Sequence, residues 1–365
     1  MSTEVYKEFC AMMEKRGGMY PGADIPEFYP LVQELFTPEE TAVSIAIGLD
    51  FNPASSIAAT MGKNEKEVSE ILEAMAYKGL CISADLGGTV YYGGPPFVPG
   101  IFEFQFMRGT KTERDKKVAK LIHAYKAAYR VAHPPKPPSF PQTRVITIDR
   151  AVKVDNVVHT YDQVAHYIEA NDPLAVCTCF CRHEAKLIDE KDDCKVPDES
   201  CMMFGTAAQF VIDRKIGRKI TKEEALKILK ATEDAGLVHA GINKQNLDFL
   251  CNCCKCHCMI LKTALASPKP GITLASGFKP AWDKDSCTAC ETCIDRCPMA
   301  ALKLGDENVP VVDLDRCIGC GVCATGCPME AISLEVRLGT IVPPIDQVAL
   351  NEAMRVDMLD LTNIT

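Results

Sequence analysis

The chain has 365 residues, of which 47% are hydrophobic and 24% charged, with a formal net charge of −9. Its length suits two or three domains with cores of their own. The acidic balance argues against general affinity for nucleic acid, because such binding is dominated by cationic neutralisation of phosphates. No run approaches the roughly 20 apolar residues a membrane span needs. The N-terminus, Met-Ser-Thr-Glu-Val-Tyr-Lys-Glu, lacks the apolar core of a signal peptide, so a cytoplasmic protein is expected. The 20 cysteines cluster in ligand-like groups with no secretion signal, which points to metal binding rather than disulfides and to an anaerobic or strongly reducing cell.

Residues 1–133 carry helix signals. Thr37-Pro38-Glu39-Glu40 is a capping box with proline at the first helical position, and a mostly apolar helix follows from Ala42. A short helix is expected from Ala54 to about Met61, and a third after Asn64, with Val68, Ile71, Leu72 and Met75 as its apolar face. Leu80-Cys81-Ile82, a turn at Leu86-Gly87-Gly88 and Thr89-Val90-Tyr91-Tyr92 read as a hairpin. Three helices and a two-stranded wing resemble a winged-helix domain over residues 35–95. The helix that would enter a major groove sets Lys63, Lys66 and Lys78 against Glu65, Glu67, Glu70 and Glu73, and lacks the Arg and Asn cluster that reads bases. A structural or docking role is therefore expected. Cys10 and Cys81 stand alone and read as core residues. Residues 111–130, with Lys111, Arg114, Lys116, Lys117, Lys120, Lys126 and Arg130, read as a helix with a solvated basic face or as a dock for an acidic redox partner.

A proline-rich linker at 134–142 marks the strongest boundary. Beyond it, residues 143–280 read as a cysteine-rich α+β domain. Strands are expected at Val145–Ile148 and Leu174–Val176, and helices at Tyr161–Glu169 and from Thr221 to a cap at Gly236. Two cysteine groups lie here: Cys177, Cys179 and Cys181 with Cys194 and Cys201, then Cys251, Cys253, Cys254, Cys256 and Cys258. A Cys-x-Cys-x-Cys strand would put three thiols on one face. The two groups are expected to meet and hold one or two further iron–sulfur clusters, with zinc, disulfides or free thiols as the alternatives. Arg182 is read as tuning a cluster, holding an anionic substrate, or satisfying backbone carbonyls. His257 is read as a ligand or as a hydrogen-bond partner of one.

Residues 281–337 contain Cys287, Cys290, Cys293 and Cys297-Pro298, then Cys317, Cys320, Cys323 and Cys327-Pro328. This is the bacterial ferredoxin ligand run, present twice, and in that run the fourth cysteine serves the other cluster. One 4Fe-4S cluster is therefore assigned to Cys287, Cys290, Cys293 and Cys327, and its twin to Cys317, Cys320, Cys323 and Cys297. A zinc site would need neither eight cysteines nor the prolines. The stretch from Asp283 to about Glu335 resembles a two-cluster ferredoxin throughout. Residues 338–365 form a tail with an amphipathic segment at about Gln347–Leu361 that would pack on another domain or a partner.

Cys-x-Cys-Arg at 179–182, the Cys201–Gly205 turn, Ala-Gly-Leu-Val-His at 235–239 and Cys-Asn-Cys-Cys at 251–254 together resemble an uncharacterised family of 4Fe-4S ferredoxin-type proteins of anaerobic bacteria and archaea. The resemblance covers most of the chain and implies a multidomain α+β protein. The expected function is electron transfer, as a subunit of or dedicated donor to an anaerobic oxidoreductase complex with redox protein partners. No Gly-x-Gly-x-x-Gly after a strand and no Walker loop is present, so no nucleotide cofactor is expected. Two other readings are a redox enzyme with a substrate-accessible middle cluster and a redox-sensing winged-helix regulator. An open coordination position beside a pocket would favour the first, and a basic recognition surface the second.

Overall fold

The computed structural model describes residues 2–133, 140–148, 151–152, 163–189, 194–339 and 342–362. Most of the expected proline-rich linker, residues 134–139, lies outside them. The fold is mixed α and β with small antiparallel sheets. The chain forms two compact units that interleave along the sequence: Met1–Pro135 with Cys177–Asp193 and Thr206–Lys219, and Lys136–Val176 with Cys194–Gly205 and Ile220–Thr365.

In the first unit, the helix Pro38–Ile47 starts where Thr37 and Glu40 cap each other. The Thr37 hydroxyl accepts from the Glu40 amide at 3.2 Å and the Glu40 carboxylate from the Thr37 amide at 2.9 Å. Helices Ala54–Met61 and Glu65–Lys78 follow, the second capped by Asn64 and closed by Gly79 at φ 73. A Cβ at Gly79 would also strike Phe104, so glycine is needed there for space as well as for φ. Strands Ile82–Leu86 and Thr89–Gly93 pair as a hairpin. Asn52–Pro53 adds a third strand, which two residues of sequence do not announce. The core is aromatic: Phe97 stacks on Phe102 at 4.6 Å between centroids, and Phe9, Phe28, Phe36 and Tyr125 surround them. Cys10 and Cys81 are buried in this unit as core residues.

The basic stretch is the helix Glu113–Ala132. Its Val118, Ile122 and Tyr125 are buried, and so is Lys126, which leaves the solvated face to pair with the buried Glu184 at 2.6 Å. Removing one partner of a buried pair strands the other charge without water.

In the second unit, the strands Thr143–Val145, Val238–Ile242, Phe249–Cys253, Glu199–Phe204, Leu174–Thr178 and Arg218–Ile220 lie side by side in that order. The chain crosses to the first unit at the end of Leu174–Thr178 and returns finally within Arg218–Ile220. The expected strand Val145–Ile148 is thus shifted to Thr143–Val145, although the Ile146 amide still donates to His239 O at 3.0 Å. The helix expected from Tyr161 is described from Val164 to Ala170; Tyr161 and Asp162 lie outside the described residues. The helix Lys222–Asp234 starts at its Thr221 cap. Two small antiparallel pairs, Phe278–Trp282 with Ile332–Val336 and Leu302–Leu304 with Pro310–Val312, frame the last cysteines. The tail packs within this unit: Gln245 donates from its amide to Pro344 O at 2.8 Å and from its side chain to Pro343 O at 2.9 Å, and Leu350 is fully buried.

Glu184→Ala should lower the unfolding free energy of the first unit by about 3 kcal/mol or more. Lys126→Met combined with Glu184→Leu should recover most of that loss, both read by urea titration.

Candidate metal centres

Two concave pockets lie among the last eight cysteines. Cys297, Cys317, Cys320 and Cys323 line one, together with Pro298, Ile318 and Leu334. Cys287, Cys290, Cys293 and Cys327 line the other, together with Trp282, Pro310 and Ile332. In each pocket, three cysteines come from one motif and the fourth from the other.

The loops reach this geometry through backbone conformation. Ala289 and Glu291 have φ of 54° and 59°; thirty residues on, Gly319 and Gly321 have 67° and 83°. The turn after each fourth cysteine repeats the pattern, with Ala300 at 49° and Glu330 at 50°. Left-handed residues inside the loop swing amides toward sulfur. The Ala301 amide donates to Cys297 Sγ at 3.3 Å. Cys290, at the surface, is held below the usual thiol range by bonds from Thr292, first from its hydroxyl and then from its amide. Cys320 is pushed up to about 12 by burial, with the Val322 amide opposing. Burial likewise drives Cys323 well above the usual range, with Cys320, Cys317, Cys297 and Cys293 adding to the rise. Buried thiols in this state hold their protons until a cation replaces them.

The donor set fits an iron–sulfur cluster. Each pocket offers four sulfurs and backbone N–H groups, the ligation that soft, sulfur-rich centres take. The backbone also comes very close: a Cβ at Gly319 would strike Phe278 O and Ser276 Oγ.

Residues 280–303 and 310–333 each match the family model of the 4Fe-4S binding domain. The C-terminal module is of the ferredoxin type. No curated protein matches the chain, and neither does any solved structure.

Next to the ferredoxin module, the middle cysteines divide. Cys251 and Cys253 lie on one face of the strand Phe249–Cys253, and Cys258 caps the helix Met259–Ala266. Hydrogen bonds with Cys251 and Cys258, more than burial, push the Cys253 thiol far above its usual range, so the three sulfurs adjoin. Met202 pairs with Leu250 and Met203 with Phe249, a register that, carried one residue further, would set Cys201 opposite Cys251. Cys253 and Cys258 share an apolar core with Cys317, Cys320 and Val322, against which Cys251 and Cys297 also pack.

The second middle group is Cys194, Cys254, Cys256 and His257, whose donor atoms all lie within 4.8 Å of one another. Burial, then Cys254 and Cys194, push Cys256 up to about 12.

One expectation fails. The strand carrying Cys177 ends at Thr178; Cys179 is the N-cap of a helix, Phe180–Ile188, and Cys181 lies in its first turn. Three thiols therefore do not share a strand face. The helix has the stronger claim on this segment because it buries Phe180, Arg182, His183 and Leu187 in the first unit. Arg182 is fully buried there, and His183 Nε2 lies 2.7 Å from Thr110 O.

Two supporting residues escaped the sequence reading. Arg296 donates to the carbonyls of Glu233 at 3.1 Å, Asp234 at 3.2 Å and Val322 at 3.3 Å, tying the end of the helix Lys222–Asp234 to the ferredoxin module. Its one sequence trace is the glycine at its symmetry partner: a Cβ at Gly326 would strike the Arg296 side chain. Asn252, between Cys251 and Cys253 but facing the other way, lies 2.6 Å from His239 Nδ1 and donates to Ser200 O at 2.6 Å, locking the strand's face.

Gly319→Ala should destabilise the module by about 2 kcal/mol or more, from left-handed strain plus collision with backbone. Ala289→Gly, at the equivalent position, should stay within about 1 kcal/mol of the parent. Thermal unfolding together with iron content would separate the two.

Proposed function

We propose that the protein carries electrons between a redox carrier and a partner protein in an oxidoreductase complex of an anaerobic cell's cytoplasm. The observation that carries this is the pair of four-cysteine pockets, each completed by a cysteine of the other motif, in segments matching the 4Fe-4S binding domain. In this reading Cys287, Cys290, Cys293 and Cys327 hold one cluster, and Cys317, Cys320, Cys323 and Cys297 the other. The clusters supply one-electron exchange. The chain's own residues bury the sulfurs of Cys293, Cys317, Cys320 and Cys323, aim amides at the cysteines and set the charge around them, which tunes potential. Cys251, Cys253 and Cys258, with Cys201, hold a further cluster. Its support is the core that Cys253 and Cys258 share with Cys317 and Cys320 and against which Cys251 packs, leaving little room for water between the two sites.

We read residues 35–95 as a winged helix that docks rather than reads DNA. Helix, short strand, two helices and hairpin follow in the order of that fold. Two of the three cations of its would-be reading helix are paired, Lys63 with Glu39 at 2.7 Å and Lys78 with Glu40 at 2.6 Å, while Glu73 holds Arg214. The protein needs no nucleotide of its own. Among the described residues no helix is long and apolar enough to cross a membrane.

Cys297→Ser should damage the cluster of Cys317, Cys320 and Cys323 and spare the other, as read by iron content and by the paramagnetic resonance of the reduced protein. Loss of the Cys287–Cys293 cluster instead would refute the crossed assignment. Protein purified without oxygen should hold about twelve irons, against about eight for the ferredoxin module alone. Duplex DNA should show no salt-sensitive binding at submicromolar protein; a clear isotherm would sink the docking reading.

A further inference from the structure

We propose that Cys194, Cys254, Cys256 and His257 form a mononuclear zinc site, separate from every iron–sulfur centre. The argument is one of spacing. A tetrahedral zinc with sulfur at about 2.3 Å and nitrogen at about 2.0 Å sets sulfurs about 3.8 Å apart and sulfur about 3.5 Å from nitrogen. Cys194 Sγ lies 3.6 Å from Cys256 Sγ, and Cys254 Sγ lies 3.6 Å from His257 Nδ1. All four donor atoms fall within 4.8 Å of one another. Ligands this close converge on one ion. The imidazole of His257 sets this group apart from the all-sulfur sets that iron–sulfur clusters take.

The donor set agrees with the spacing. Three thiolates and an imidazole are a common closed zinc shell, with no position left for substrate. Binding releases the thiol protons to solvent and leaves the metal's valence unchanged. The topology gives the ion work to do: Cys194 lies 62 residues before Cys256, and the other three ligands sit on the turn between Cys253 and Cys258. Zinc would fasten the segment entering the strand Glu199–Phe204 onto the turn leaving the strand Phe249–Cys253. The site also divides the crowded Cys-Asn-Cys-Cys-Lys-Cys-His-Cys run between two centres. Cys251, Cys253 and Cys258 turn to the apolar core, while Cys254, Cys256 and His257 turn to Cys194. This inference goes beyond the electron-transfer reading and does not depend on it, because zinc and iron are counted separately.

The full-length protein, purified without oxygen or added metal, should carry about one zinc per chain that resists EDTA and leaves on titration with an organomercurial. Cobalt(II) exchanged into the wild-type chain should show the ligand-field bands of a tetrahedral thiolate site, a readout that needs no variant. Cys194→Ala and His257→Ala should each lose the zinc and keep the wild-type iron content. Four results would overturn the proposal: no zinc in the native chain; zinc removed by EDTA, which makes it an adventitious ion only; zinc retained in both variants; or iron lost from the variants while zinc stays. A Cys194–Cys256 disulfide found in place of the metal in anaerobic protein would overturn it equally.

Discussion

Four thiols crowded into one pocket, unlike the single buried Cys10 and Cys81, are matched by a shared cation, and the loops of the ferredoxin module are built around that match. Burial lifts Cys320 and Cys323 well above the pH at which a free cysteine ionises, and crowding by neighbouring sulfurs lifts Cys253 in the same direction. As thiolates they would repel; as neutral thiols they would give the amides aimed at them only weak acceptors. A metal centre resolves both problems, and its binding energy becomes folding energy for the segments it joins. The left-handed residues, the close glycines and the amides aimed at sulfur are the local means by which short loops bring ligands and donors to one point.

The ferredoxin module is not an appendage. Cys317, Ile318, Cys320 and Val322 lie in one apolar cluster with Val238, Ala240, Cys253, Cys258 and Leu261 from the strands and helix before them. Arg296 reaches across to the last carbonyls of the helix Lys222–Asp234, joining the Gly236 amide, which also donates to Glu233 O.

The first unit follows a different logic. Its core is aromatic rather than cysteine-lined, and Lys63, Lys78, Lys126 and Arg214 are each paired with a carboxylate.

The sequence by itself determined what depends on neighbours along the chain. Thr37 with Glu40, Asn64 and Thr221 placed their helix starts, because a cap acts within one turn. The doubled cysteine run announced its chemistry because three of its four ligands sit on a single loop. Only tertiary structure decided matters of long range. Nothing local tells that Asn52–Pro53 pairs with a strand forty residues on, or that Lys126 turns inward to Glu184. The middle cysteines show the limit most clearly. Alternation at 177–181 suggested a strand, but the burial of Phe180, Arg182 and Leu187 made it a helix after Thr178. The run from Cys251 to Cys258 could not be divided by spacing alone. Its division came from one strand ending at Cys253, so that the thiols before the turn face the apolar core and those on it face Cys194, 62 residues away.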